Sequence, residues 1–149
     1  MKTFLAALTI TFASVLLLHA GDSPAEKAFV EKYKKAYEGN DKATLESCLY
    51  TKGANPMALE FYKMMMTEGA GGKISSIQLV DLTPEEAKKA AGVQDGPGGT
   101  KTKLPLKATK KLEIKVESKE GESTGSSTST NFVGEDGGKL YILVPADAK

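Results

Sequence analysis

Residues 111–117 read Lys-Leu-Glu-Ile-Lys-Val-Glu, a strict alternation of charged and apolar side chains. Successive strand side chains point to opposite faces, so Leu112, Ile114 and Val116 share one face and Lys111, Glu113, Lys115 and Glu117 the other. A strand that is wet on one side and dry on the other belongs to an antiparallel sheet whose dry face another layer must cover. The chain that follows supplies neighbours for it. Residues 123–133 are rich in Ser and Thr and close on Phe132-Val133, and their second half reads as the paired strand. Glu135-Asp136-Gly137-Gly138 is a hairpin turn, and residues 140–144, apolar throughout, read as a central final strand ended by Pro145.

The covering layer is written in residues 23–50. Ser23-Pro24-Ala25-Glu26 combines an N-cap, a proline suited to the first helical position and a glutamate placed for a capping box. Ala25, Phe29, Val30, Tyr33, Ala36 and Tyr37 then recur at spacings of three and four, the period of a half-buried helix. Gly39 is expected to end that helix as a left-handed cap residue. Asn40 or Asp41 then caps a second helix running to about Tyr50, with Ala43, Leu45, Cys48 and Leu49 as its apolar positions. Asn55-Pro56 starts a third helix, in which Met57, Ala58, Phe61, Tyr62, Met64 and Met65 form a broad apolar surface. The Met64-Met65-Met66 run reads first as gap-filling core and second as an adaptable surface for an apolar ligand.

Between the third helix and the alternating strand, residues 74–82 read as a strand with Ile77 and Leu79 on one face and a bulge near Leu82. Thr83-Pro84-Glu85-Glu86 is a second capping box that opens a short solvated helix to about Ala91. Residues 94–102 have the composition of a flexible loop and lack the spacing of a phosphate-binding loop, and residues 104–107 read either as a short strand or as the start of a longer one bent at Thr109.

Residues 1–20 combine a basic start, an apolar run from Phe4 to Leu18 and small residues behind it, the pattern of a signal peptide cleaved after Ala20 or Gly21. The apolar run is short for a membrane span, which needs about 20 residues. The expected product is an exported, periplasmic or extracellular chain without a stable membrane anchor, its single domain spanning residues 22–146. Lys2 and the one histidine, His19, leave with the leader. The remaining lysines then balance the 19 acids, so nothing in the charge favours nucleic acid. There is no arginine, which removes bidentate grips on phosphate or carboxylate. Without histidine the mature chain cannot assemble a Ser-His-Asp or Cys-His centre or an imidazole zinc site. Cys48 is the single cysteine; no internal disulfide forms, and its helix-face position makes it a buried small hydrophobe.

Helices first and an antiparallel sheet afterwards is α+β architecture. The run Phe29-x3-Tyr33-x3-Tyr37-x-Gly39-Asn40-Asp41-x-Ala43-x-Leu45 resembles the opening of NTF2-like (SnoaL-like, cystatin-like) domains, most closely small extracytoplasmic members of unassigned role. The resemblance implies three helices in the hollow of a curved antiparallel sheet of about four strands, with a cone-shaped pocket between the layers. Tyr33, Tyr37, Tyr62 and Tyr141 are the polar-tipped residues expected to line it, with Asp81 the one strand acid in mostly apolar sequence. The leading expectation is non-enzymatic binding of a small apolar ligand or an envelope protein partner, with no metal or cofactor. The alternative is a small enzyme of this fold, moving a proton with a tyrosine and a carboxylate in isomerase- or dehydratase-type chemistry. The sheet faces of such folds often pair two copies, although the Lys/Glu alternation argues against a greasy dimer through residues 111–117.

Overall fold

The computed structural model describes residues 23–120 and 123–148. The expected leader, with Lys2 and His19, and part of the turn after residue 119 lie outside the described residues. Among the described residues four α-helices and eight strands follow one another as α1 (Pro24–Glu38), α2 (Lys42–Glu46), β1 (Leu49–Tyr50), α3 (Pro56–Thr67), β2 (Lys73–Asp81), α4 (Pro84–Ala91), β3 (Gln94–Asp95), β4 (Lys101–Lys103), β5 (Lys110–Glu120), β6 (Ser123–Asp136), β7 (Lys139–Leu143) and β8 (Ala146–Asp147). The protein is α+β, as its order of elements requires. The sheet departs from the expectation of about four antiparallel strands under three helices. It has five strands in the order β1-β7-β6-β5-β2, and β1 joins β7 in parallel, so it is mixed. A second sheet, β3-β4-β8, stands beside it.

The long ladders follow the sequence pattern. In β5, Leu112 and Ile114 are buried and Val116 half-buried on one face; on the other, Lys115 and Glu117 are exposed while Lys111 and Glu113 are half-buried in an ion pair (2.9 Å). The β6–β7 turn holds Gly137 and Gly138 at φ +58° and +77°, the conformation a two-residue hairpin needs. One face of the large sheet is covered by α1, α2 and α3: Phe29, Tyr33, Tyr37, Leu45 and Met66 pack with Leu112, Ile114, Val133 and Ile142. The opposite face carries a smaller cluster, in which Tyr50 and Leu143 meet Ala90 of α4 and Ala108.

Four local expectations are corrected. The left-handed residue after α1 is Asn40 (φ +53°), whereas Gly39 sits at φ −85°. Asp41 N donates to Ala36 O (2.8 Å) and Asn40 N to Tyr37 O (3.1 Å), the paired bonds that place the left-handed turn one residue later. Gly39 is still needed there, because a Cβ would stand 2.9 Å from Lys35 O. The second helix stops at Glu46 because Leu49 and Tyr50 bury their side chains in opposite clusters. Only an extended segment sends consecutive residues to opposite sides. The bulge in β2 falls between Ile74 and Ser76, not near Leu82. Finally, the glycine-rich stretch 94–102 is built rather than loose, and the strand expected at 104–107 lies earlier, at β4. Thr102 is buried beneath Gly96, where a Cβ would lie 2.5 Å from Thr102 Cγ2.

Candidate functional site

The two capping boxes form as read. Ser23 Oγ accepts from Glu26 N (3.2 Å) and Glu26 Oε2 from Ser23 N (3.0 Å); Thr83 and Glu86 repeat the exchange at α4. Asp41 caps α2 through Thr44 N (3.0 Å), and hydrogen bonding from the Thr44 side chain, then from its backbone, holds the Asp41 carboxyl below the usual range.

Tyr33 and Tyr37 fill the helix–sheet interface instead of lining an opening. Their rings stack with centroids 6.3 Å apart, and both are buried. Burial drives the Tyr33 hydroxyl well above the ordinary tyrosine range, with the neighbouring Tyr37 and Cys48 adding to it; burial likewise raises Tyr37. Tyr62, on α3, borders a separate small hollow of about 130 Å³ with Thr102, Leu104 and Phe132. Tyr141 lies on β7, edge-on to Tyr50 with centroids 5.6 Å apart. Asp81 ends β2 with 76% of its side chain exposed and accepts an ion pair from Lys110 Nζ (2.8 Å), which also reaches Glu26 Oε1 (3.4 Å). β7 and β2 are three strand spacings apart, about 14 Å. The five candidate residues are therefore not brought to one site.

Cys48 is buried, its Sγ directed at Thr44 O (3.5 Å). Lys32 lies close enough to favour the thiolate, but burial outweighs it and the thiol is pushed up. This is an inert thiol, as its place in the sequence indicates. Among the described residues no group of three or more His, Cys, Asp or Glu is placed to hold a metal, and no helix is long and apolar enough to cross a membrane.

Two surface features stand out, one on the helix whose sequence reads as a broad apolar surface and one beside the candidate residue Tyr141. The first is the outer face of α3, where Met57, Phe61, Met64 and Met65 are 50%, 46%, 56% and 42% exposed. Spacings of four, three and one residues put all four on a single stripe. Of the Met64-Met65-Met66 run only Met66 enters the core. A helix apolar around most of its circumference gives no period from which to choose the buried side. The second is a hollow of about 500 Å³ between α1 and the start of β7, lined by Ala25, Ala28, Phe29, Leu140, the candidate Tyr141 and the Lys32–Ser47 pair, whose Nζ and Oγ are 2.9 Å apart. Alanine at 25 and 28 leaves the space that larger side chains would fill.

No family model, curated protein or solved structure matches the chain. The fold and its surfaces define an α+β protein with a packed interior and its unusual features on the outside.

Proposed function

We propose that this chain is a non-enzymatic, exported binding module of NTF2-like type, and that its working surface is the apolar stripe of α3, which takes a protein partner. The observation that carries this reading is the exposure of Met57, Phe61, Met64 and Met65 along one helix face. Leaving such surface in water costs about 25 cal/mol per Å², and a contiguous patch of this kind marks an interaction site. The stripe is a ridge, and a ridge of apolar anchors at helical spacing fits an apolar groove on another protein. Three methionines let it adapt to that groove without a fixed shape. The order of elements supports the NTF2-like reading, and the sequence pattern of residues 1–20 supports export. The enzyme reading loses its support from the positions of Asp81 and Tyr141 at different strands and from the exposed ion pair that Asp81 makes.

Photo-methionine incorporated at positions 57, 64 and 65 tests this in the cell that makes the protein. The expected result is one recurrent, identifiable protein adduct that Phe61→Ser abolishes. Background labelling alone, or an adduct indifferent to Phe61→Ser, refutes the reading. Intact mass of the same material tests export: the chain should begin at Gly21 or Asp22.

A second reading rests on the hollow between α1 and β7, whose volume and mixture of apolar floor with one polar corner suit a small, mostly apolar ligand. Native mass spectrometry of the purified protein, with Ala28→Leu as the filled-in control, reports whether anything is retained there.

A further inference from the structure

Ala25, Ala28, Phe29 and Lys32 follow one another at helical spacings and form one stripe of α1. The stripe lines the hollow of about 500 Å³, with Leu140 and Tyr141 of β7 on the other wall. From Ala25 to Lys32 the helix rises about 10 Å, so an apolar floor runs along α1 and ends on a cation. That cation is held in place. Lys32 Nζ donates to Ser47 Oγ (2.9 Å), and Ser47 Oγ donates in turn to Thr44 O (2.6 Å), which commits the serine proton and turns a lone pair to the ammonium. An ammonium has three donors, and the serine takes one. Among the described residues no carboxylate pairs with Lys32, whereas Lys110 and Lys111 each hold two. Lys139 brings a second lysine to the hollow, and no acid lines it. The hollow on the other flank of α1 is different in charge, with Glu26 and Glu31 beside Lys27.

We infer that the hollow between α1 and β7 takes an apolar chain ending in a single anionic group, a medium-chain fatty carboxylate, its chain along Ala25, Ala28 and Leu140 and its carboxylate on Lys32. This rests on the reading of that hollow as a ligand site and adds the charge of the ligand. A neutral apolar ligand would cover the Lys32 ammonium and leave it without a counter-ion, which costs free energy. A carboxylate supplies the counter-ion and accepts the N–H groups that Ser47 leaves over. An apolar cation meets two like charges. A small inorganic anion leaves the apolar floor bare and, in a chain without arginine, finds no bidentate grip. The volume lies within the range of about 300–1,000 Å³ usual for small-ligand sites.

Calorimetric titration of the purified protein with decanoate, below its micelle concentration, is the test, run beside decanol and decyltrimethylammonium. Decanoate should bind one per chain and about tenfold more tightly than decanol, with no measurable binding of the cation. Lys32→Gln should weaken decanoate about tenfold and leave decanol unchanged. Ala28→Leu fills the floor and should abolish both. Both side chains are exposed, so these variants should melt like the parent protein. No binding of any of the three overturns this inference and the ligand-site reading together. Decanol as tight as decanoate, or decanoate indifferent to Lys32→Gln, overturns the anion alone and leaves a site for a neutral ligand. Decanoate binding that survives Ala28→Leu lies elsewhere on the molecule and overturns it too. So does association with phosphatidylglycerol vesicles by a protein that ignores free decanoate.

Discussion

Gly69→Ala tests how tightly the tyrosine stack is held. Gly69 has φ +76°, and a Cβ built there would stand 2.9 Å from Tyr37 Oη. Gly53 provides the internal reference: its φ is +74°, and a Cβ there meets nothing within 4 Å. An alanine at either position adopts left-handed backbone at a cost of about 1–2 kcal/mol. Only at Gly69 must Tyr37 also move. Its ring is fixed between Tyr33 and Gly72, with Cε1 3.8 Å from the Cβ position at Gly72, so the contact is not relieved by a free swing. Forcing a methyl into a packed site costs a further 1–3 kcal/mol, roughly. Urea unfolding should therefore place Gly53→Ala about 1–2 kcal/mol below the parent protein, and Gly69→Ala about 2–5 kcal/mol below it. Tyr37→Phe removes the contacting oxygen, so the cost of Gly69→Ala should fall by at least about 1 kcal/mol in that background. Equal costs at the two glycines, or a Gly69→Ala cost unchanged by Tyr37→Phe, would refute a Tyr37 held in place against the backbone at Gly69.

The buried tyrosines set the alkaline limit. A hydroxyl whose pKa is raised on folding keeps its proton while the unfolded chain loses its own above pH 10.0, the ordinary value. Stability should thus be level below that pH and fall as pH rises beyond it, and Tyr33→Phe should flatten the fall in a pH series of urea melts. Asn55 is buried, caps α3 through Ala58 N (3.0 Å) and donates from Nδ2 to Asp147 Oδ1 (2.6 Å), so Asn55→Ala should cost about 2–3 kcal/mol by urea melt. Asp41→Ala removes one exposed cap bond and should cost about 1 kcal/mol in the same assay, a smaller loss than Asn55→Ala. Met64→Gln with Met65→Gln touches only exposed side chains and should change stability by less than about 0.5 kcal/mol by urea melt.

The amino-acid sequence alone determined what is local. Caps at Ser23, Asp41, Asn55 and Thr83, the alternation through Leu112 and Ile114, and the Gly137-Gly138 hairpin depend on residues a few positions apart, and each formed where read. The sequence equally determined that Cys48 would be a buried thiol. Tertiary structure decided whatever required comparing distant segments. Leu49 and Tyr50 are strand because β7, more than ninety residues later, offers them an open edge. The stretch 94–102 is ordered because β8 closes a sheet on it. Met64 and Met65 are outside while Met66 is inside, since a helix apolar on nearly every side takes its inward face from whichever neighbours reach it. Tyr33, Tyr37, Tyr62, Tyr141 and Asp81 look alike as candidates in one dimension; only the fold sends two into the packed interior and leaves the others apart. Side-chain pattern fixes the period of an element, but which surface remains open depends on what else packs against it.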